Sequence, residues 1–160
     1  MEAARHRDGK EARDHVDHAN KVARDLLADV RSTVGELRTE PSHLSEALSQ
    51  VVSKLPGLDV SIDVDADLQV DETQSAALVR AAQEIVTNTI RHADARELRL
   101  EISCDGTAAV LVAADDGRGA REPVLGNGLR GLTERFETLG GDVTFDGCDG
   151  FRVTARMPTP

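Results

Sequence analysis

The sequence predicts an α+β fold: a two-layer α/β sandwich, three helices on a mixed sheet of about five strands, preceded by a long N-terminal helix. Three observations predict it. Helix-period and strand-period segments alternate after residue 41. A seven-residue apolar repeat precedes them and stops at a proline. At 160 residues the chain has the length of one domain with an appended helix.

The elements follow in order. Met1 to Lys10 carries no apolar period. Val16, Ala19, Ala23, Leu26, Val30, Thr33 and Leu37 then step by 3 and 4 residues, an a/d seam flanked by charged side chains. Such a seam needs a partner helix, most simply from a second copy of the chain; the alternative is a helix lying on its own domain. Thr39-Glu40-Pro41-Ser42 breaks the pattern, so residues 1–40 form an N-terminal helical unit and 41–160 the globular body. Leu44 to Leu55 reads as a helix, with Ser42 as its cap and Pro56-Gly57 as its stop. Val60 to Val64 alternates as a strand, and Thr73 to His92 reads as a long, mostly apolar helix. Glu97 to Ser103 and Ala108 to Ala114 read as strands joined by the turn Cys104 to Thr107. Leu129 to Leu139 is a helix ended by Gly140-Gly141, and Val143 to Phe145 and Arg152 to Met157 are the last strands.

Composition narrows the function. Hydrophobic residues make up 39% and charged residues 30%, the balance of a globular chain. Nineteen Lys+Arg against 29 Asp+Glu give a formal charge of −10. Nucleic acid and anionic membrane would both be repelled, although a local basic pocket is compatible with that charge. Aromatic residues are 2%, with no Trp or Tyr, which argues against a base-stacking platform. No apolar run approaches the ~20 residues that cross a bilayer. Met1 to Asn20 is charged throughout, unlike a secretory leader. Cys104 and Cys148 read as two reduced thiols, and a cytoplasmic setting is expected.

Three constellations carry chemistry. On the long helix, Glu84 and Asn88 lie one turn apart among apolar residues, with Arg91 and His92 continuing the face. The pattern suits a polyphosphate: an amide oxygen for Mg²⁺, a guanidinium for phosphate, a carboxylate to accept a proton. It also fits a solvent-facing polar stripe. Next, Asp115-Asp116-Gly117-Arg118-Gly119 follows a strand, where a carboxylate and two glycines admit a flat ligand with an exocyclic amine. A tight acidic turn is the plainer reading. Finally, Gly126-Asn127-Gly128-Leu129-Arg130-Gly131 opens a helix and offers free N–H groups to an anion. Its G-x-G-x-x-G spelling imitates a dinucleotide fingerprint, but Glu122 to Leu125 is too short for the preceding strand and holds a proline. Ten of the 13 glycines lie between Gly106 and Gly150, which places the ligand there.

The order of these motifs resembles the ATP-binding fold (Bergerat type) shared by sensor histidine kinases, DNA gyrase, a heat-shock chaperone and the mismatch-repair ATPases. Gln83 to Ala93 resembles the N box, Asp115 to Gly119 the first glycine box and Gly126 to Leu132 the second. The nearest group is that of the DesK-like kinases, which work with NarL-type partners. Arg24 to Arg31 resembles the second dimerisation helix of that group. The resemblance implies ATP and Mg²⁺ as cofactors. It implies that Asp115 accepts from the adenine amino group, with Thr154 as the accompanying threonine. Gly117 and Gly119 let a lid, Ala120 to Leu125, fold over the nucleotide. Asn88 holds Mg²⁺, Glu84 is the catalytic base, Arg91 touches phosphates and His92 lies beside base or ribose. Gly126 and Gly128 carry amides to the phosphates, with Leu129 in the same box.

One departure accompanies the resemblance. The family's substrate histidine lies in an Asp-rich box on a first dimerisation helix, and nothing here matches it. His15 and His18 read as solvated surface, and His6 as disordered. The expectation is a kinase core that binds ATP or ADP and acts on a histidine of another chain or segment. Its other expected partners are a response regulator and a second copy of itself. It has no nucleic-acid partner and no direct membrane contact, although it can be the cytoplasmic part of a membrane-anchored kinase. Rival readings are an anti-sigma-factor-type serine kinase, a non-catalytic nucleotide-binding dimer module and a dinucleotide-binding domain.

Overall fold

The computed structural model describes residues 38–39, 41–53, 55, 57–120 and 126–159. The heptad seam, the Arg24 to Arg31 segment, His6, His15, His18 and the lid beyond Ala120 lie outside the described residues. The elements are β1 (Arg38–Thr39), α1 (Pro41–Val52), β2 (Asp59–Val64), β3 (Val70–Asp71), α2 (Glu72–Asn88), a π-helical turn (Thr89–Ala93), β4 (Glu97–Cys104), β5 (Ala108–Asp115), α3 (Asn127–Thr138), β6 (Asp142–Asp146) and β7 (Arg152–Pro158).

Strand alternation builds two layers. The sheet runs β2-β4-β5-β7-β6, with β2 parallel to β4 and every other pair antiparallel. Ile102, Leu111 and Ala155 form one cross-strand row, and Leu100, Ala113 and Val153 the next. All six are buried, in one core with Leu78, Ala82 and Ile85 of α2 and Phe136 of α3. The alternate residues Arg99, Glu101, Thr154 and Arg156 therefore belong to the opposite face of the sheet. Among the described residues, the helices pack on this buried face, as the predicted sandwich requires.

Helix ends have identifiable causes. Asp71 caps α2: its Oδ1 accepts from Gln74 N at 2.7 Å, and Gln74 Oε1 accepts from Asp71 N at 3.0 Å. Gln74 then donates its Nε2 to the Pro158 carbonyl at 2.6 Å, tying the start of α2 to the end of β7. The π turn stops at Asp94, in the left-handed region at φ 52°. Helix α3 stops at Gly140, φ 75°, where Gly141 N reaches back to the Phe136 carbonyl at 2.8 Å.

Three expectations are corrected here. Helix α1 spans Pro41–Val52 rather than Leu44 to Leu55. Pro41 is its first residue, where a missing N–H costs nothing, so Ser42 lies inside the helix and is not its cap. The proline at 56 disfavours helical geometry at residue 55 and draws the end back. Arg38 and Thr39, assigned from sequence to the N-terminal unit, pair antiparallel with Asp71 and Val70 of β3. That two-stranded ribbon is too short to show a period. Among the described residues, no helix is long and apolar enough to cross a membrane.

Two predictions concern this scaffold. Gln74→Ala should destabilise the domain by about 1–2 kcal/mol, since a cap and a buried hydrogen bond go together. Gln74→Glu keeps the cap but has no proton for the Pro158 carbonyl, and should recover less than half of that loss. Urea unfolding measures both, and a Gln74→Glu protein as stable as the parent would deny the Pro158 contact any role. The second prediction is an acid dependence. Backbone N–H groups hold three exposed turn carboxyls below their ordinary range: Thr107 and Ala108 for Asp105, Glu97 and Arg96 for Asp116, Cys148 for Asp146. The folded state thus binds these protons less readily than the unfolded chain. Their contribution is complete above the ordinary aspartate range and is lost as pH falls through it and below. The melting temperature should drop between about pH 5 and pH 3, and Asp116→Asn should flatten that slope.

Candidate nucleotide site

Four chain segments converge at one end of the sheet, around a cleft of about 260 Å³. The end of α2 and the π turn supply Asn88, Thr89, His92 and Ala93. The end of β5 and the loop after it supply Asp115, Arg118, Gly119 and Ala120. The first turn of α3 contributes Gly126, Gly128 and Leu129, and Phe151 closes the cleft from the start of β7.

Asp115 is the buried carboxylate of the cleft, at 7% exposure. It continues the inward row of β5 and sits opposite Leu98. Its Oδ1 accepts from Gly117 N at 2.9 Å and from Phe151 N at 3.1 Å. Its Oδ2 accepts from the Thr89 hydroxyl at 3.3 Å. With Oδ1 occupied twice, Oδ2 keeps a lone pair for an N–H donor in the cleft.

The glycine loop after β5 is clamped on both sides. Arg118 donates its backbone N to the Ala93 carbonyl and its Nε to the His92 carbonyl, each at 2.9 Å. A Cβ at Gly117 would stand 2.4 Å from the Ala93 oxygen. On the other side, Ala120 N bonds to the Gly147 carbonyl at 3.1 Å. Asp116, the outward neighbour of Asp115, accepts from Arg96 N and Glu97 N at 2.8 and 2.9 Å and pins the start of β4. Cys148, in the same β6–β7 turn as Gly147, is exposed, and the nearby Asp146 carboxylate pushes its thiol up, away from thiolate chemistry.

Glu84 and Asn88 meet one helical turn apart, where Asn88 Nδ2 donates to Glu84 Oε1 at 3.2 Å. This orientation leaves the Asn88 carbonyl oxygen for a cation. The Glu84 carboxylate also lies against the first turn of α3: a Cβ at Gly128 would fall 1.6 Å from Oε1. A side chain there would displace the Glu84 carboxylate. Gly126 makes no side-chain cap bond to that turn, and Gly126, Gly128 and Leu129 line the cleft, an arrangement suited to phosphate oxygens.

Of the residues expected from sequence, Asn88, His92, Asp115, Gly119, Gly126, Gly128 and Leu129 line this one cleft. Glu84 and Gly117 stand immediately behind it, through Asn88 and Asp115. Two do not join them. Thr154 lies opposite Val112 and Thr144 on the outer face of the sheet, turned away from Asp115. Arg91 is exposed and lies outside the lining, because the i→i+5 turn brings His92 rather than Arg91 round above Asn88. Sequence reasoning missed Thr89, Arg118 and Phe151. The period-2 pattern of β7 could have excluded Thr154, since Val153 and Ala155 mark the inner face.

No family model matches the chain. It is 34% identical over 159 residues to the sensor histidine kinase LnrJ of Bacillus subtilis, a match covering 94% of this chain and 40% of that protein. It is 24% identical over 159 residues to the sensor histidine kinase DesK of the same organism, covering 96% of this chain and 42% of DesK. The chain thus spans less than half the length of these curated relatives. Among solved structures, the ATP-binding domain of PrrB from Mycobacterium tuberculosis superposes with a TM-score of 0.62 at 20% identity, over 78% of this chain and 97% of that one. The chain is thus similar to the sensor histidine kinases, DesK among its relatives, and its described residues have the fold of histidine kinase ATP-binding domains.

Proposed function

We propose that this chain is the catalytic part of a two-component histidine kinase. It binds Mg·ATP in the cleft and passes the γ-phosphoryl group to a histidine supplied by another segment or chain. The observation that carries this reading is the shared cleft: one lining set holds a buried carboxylate with a lone pair to spare, an amide oxygen free for a cation and the start of a helix.

Each residue then has a task. Asp115 Oδ2 accepts from the adenine amino group. His92 lies along the cleft wall beside base or ribose. The N–H groups after Gly126 receive phosphate oxygens. Asn88 presents its carbonyl oxygen to Mg²⁺, a donor type that suits this hard cation when the phosphates complete its shell. Mg²⁺, when bound there, neutralises charge on the phosphates. Glu84, held between Asn88 and Gly128, orients the attacking imidazole and takes up its proton. The response regulator receives the phosphoryl group from that histidine in the complete kinase, and a second copy supplies the dimer partner. The setting is the cytoplasm, where ATP is plentiful.

Two outcomes test this. Asp115→Ala should weaken ATP binding about 10- to 100-fold in calorimetry, the size expected for a hydrogen bond to a charged group. Unchanged affinity would remove Asp115 from the site. Glu84→Gln should bind ATP within about threefold of the parent but transfer phosphoryl to a supplied histidine-bearing helix about 10²–10⁴-fold more slowly. Transfer at the parental rate would show that Glu84 is not the base. A serine-bearing acceptor phosphorylated in preference to the histidine helix would favour a serine kinase instead.

A further inference from the structure

Thr89 behaves unlike the other helical threonines whose hydroxyls bond within their helix. A helical Thr usually returns its hydroxyl to the carbonyl four residues back. Thr87, Thr133 and Thr138 do this, at 2.7, 3.0 and 2.8 Å. The Thr89 hydroxyl instead crosses to β5 and meets Asp115 Oδ2 at 3.3 Å. Thr89 begins the π turn, lies at 4% exposure and lines the cleft. Its one proton is committed to Asp115, so toward the cleft it is an acceptor only.

We propose that Thr89 is a specificity-determining positioning residue, which holds the Asp115 carboxylate so that a single lone pair of Oδ2 points at the purine edge. This inference rests on the nucleotide reading above. The consequence is selection at C6 of the purine. An amino group there places an N–H on the waiting lone pair. A carbonyl there sets oxygen against oxygen with no proton between them, an unpaired contact that a buried site rejects. Without the Thr89 hydroxyl, Oδ2 has two unmet lone pairs and its carboxylate is free to turn about the Oδ1 anchor. A water can then enter and bridge to a carbonyl as well as to an amine.

The test uses the whole 160-residue chain and two nucleotides that differ at this edge, Mg·ATP and Mg·ITP. Calorimetry gives Kd for each with the parent, Thr89→Val and Thr89→Ser. The parent should prefer ATP by at least about tenfold. Thr89→Val should lose about tenfold in ATP affinity, and its ATP-to-ITP ratio should fall below about three. Thr89→Ser, which restores the hydroxyl, should return the ratio to within about threefold of the parent. A general loosening of the fold would weaken both nucleotides alike and leave the ratio unmoved. Parental discrimination in Thr89→Val, or a Thr89→Ser protein as indiscriminate as Thr89→Val, overturns the inference while ATP binding by the parent stands. If the valine protein does not fold, Thr89→Ala against Thr89→Ser carries the same comparison and the same criteria. A parent that binds neither nucleotide overturns the functional reading itself.

Discussion

The buried carboxylate of Asp115 is the interaction on which the site's architecture depends. Alone it would be expensive, because a charge removed from water needs partners. Its partners come from three places distant in the chain: Gly117 in the loop beyond, Phe151 before β7 and Thr89 at the end of α2. Each satisfies part of the carboxylate, and each is thereby fixed in position. The carboxylate thus draws together the parts of its own cleft. Removing it costs the fold and the site together, so binding and melting must be measured side by side on any variant at this position.

Close backbone approach is the second constraint, and it explains why glycines crowd this end of the molecule. A Cβ at Gly150 would stand 1.9 Å from the Asp115 carbonyl, and one at Gly147 would stand 2.0 Å from that of Ala120. Gly119 combines a φ of +64° with carbonyls of Gly147 and Gly150 inside 3 Å of its missing Cβ. The first glycine box and the β6–β7 turn are packed backbone to backbone. The described start of the lid, Ala120, emerges from that packed joint.

Much of this was legible in the chain because two periods dominate. Buried Leu98, Leu100 and Ile102 alternate with charged residues, and Leu44 and Leu48 lie one helical turn apart. Burial follows the apolar pattern, so sheet and helices could be read directly. The ligand end was legible through its glycines and through Asp115 and Asn88, which need no period. What escaped lies where the period fails. The ribbon of β1 and β3 holds two residues per strand. The π turn inserts one residue into the helical phase, so a stripe drawn as Glu84, Asn88, Arg91 is carried round to His92. Thr89 continues the buried stripe of Leu78, Ala82 and Ile85 in ordinary helical phase, a polar residue at an inward position. Thr154 is different, because its outward position followed from the alternation of β7, and a residue type had been weighed above a strand face.

The acidity of the chain remains to be reconciled with a polyanionic ligand. A formal charge of −10 repels ATP at long range, yet that field is screened over about 8 Å at physiological salt. Within that distance the cleft offers a different balance. The first turn of α3 lines the cleft, and a helix N-terminus carries fixed positive partial charge without adding a formal cation. Arg118 lines the cleft, and its Nε bond to the His92 carbonyl keeps the guanidinium there. Several of the nearby carboxylates are engaged by backbone donors: Asp115 by Gly117 and Phe151, Asp116 by Arg96 and Glu97, Asp146 by Cys148. Their charge is largely answered at its source. On the proposed reading, the anion site would be built from oriented amides more than from formal charge, and so acidic a domain could receive a triphosphate.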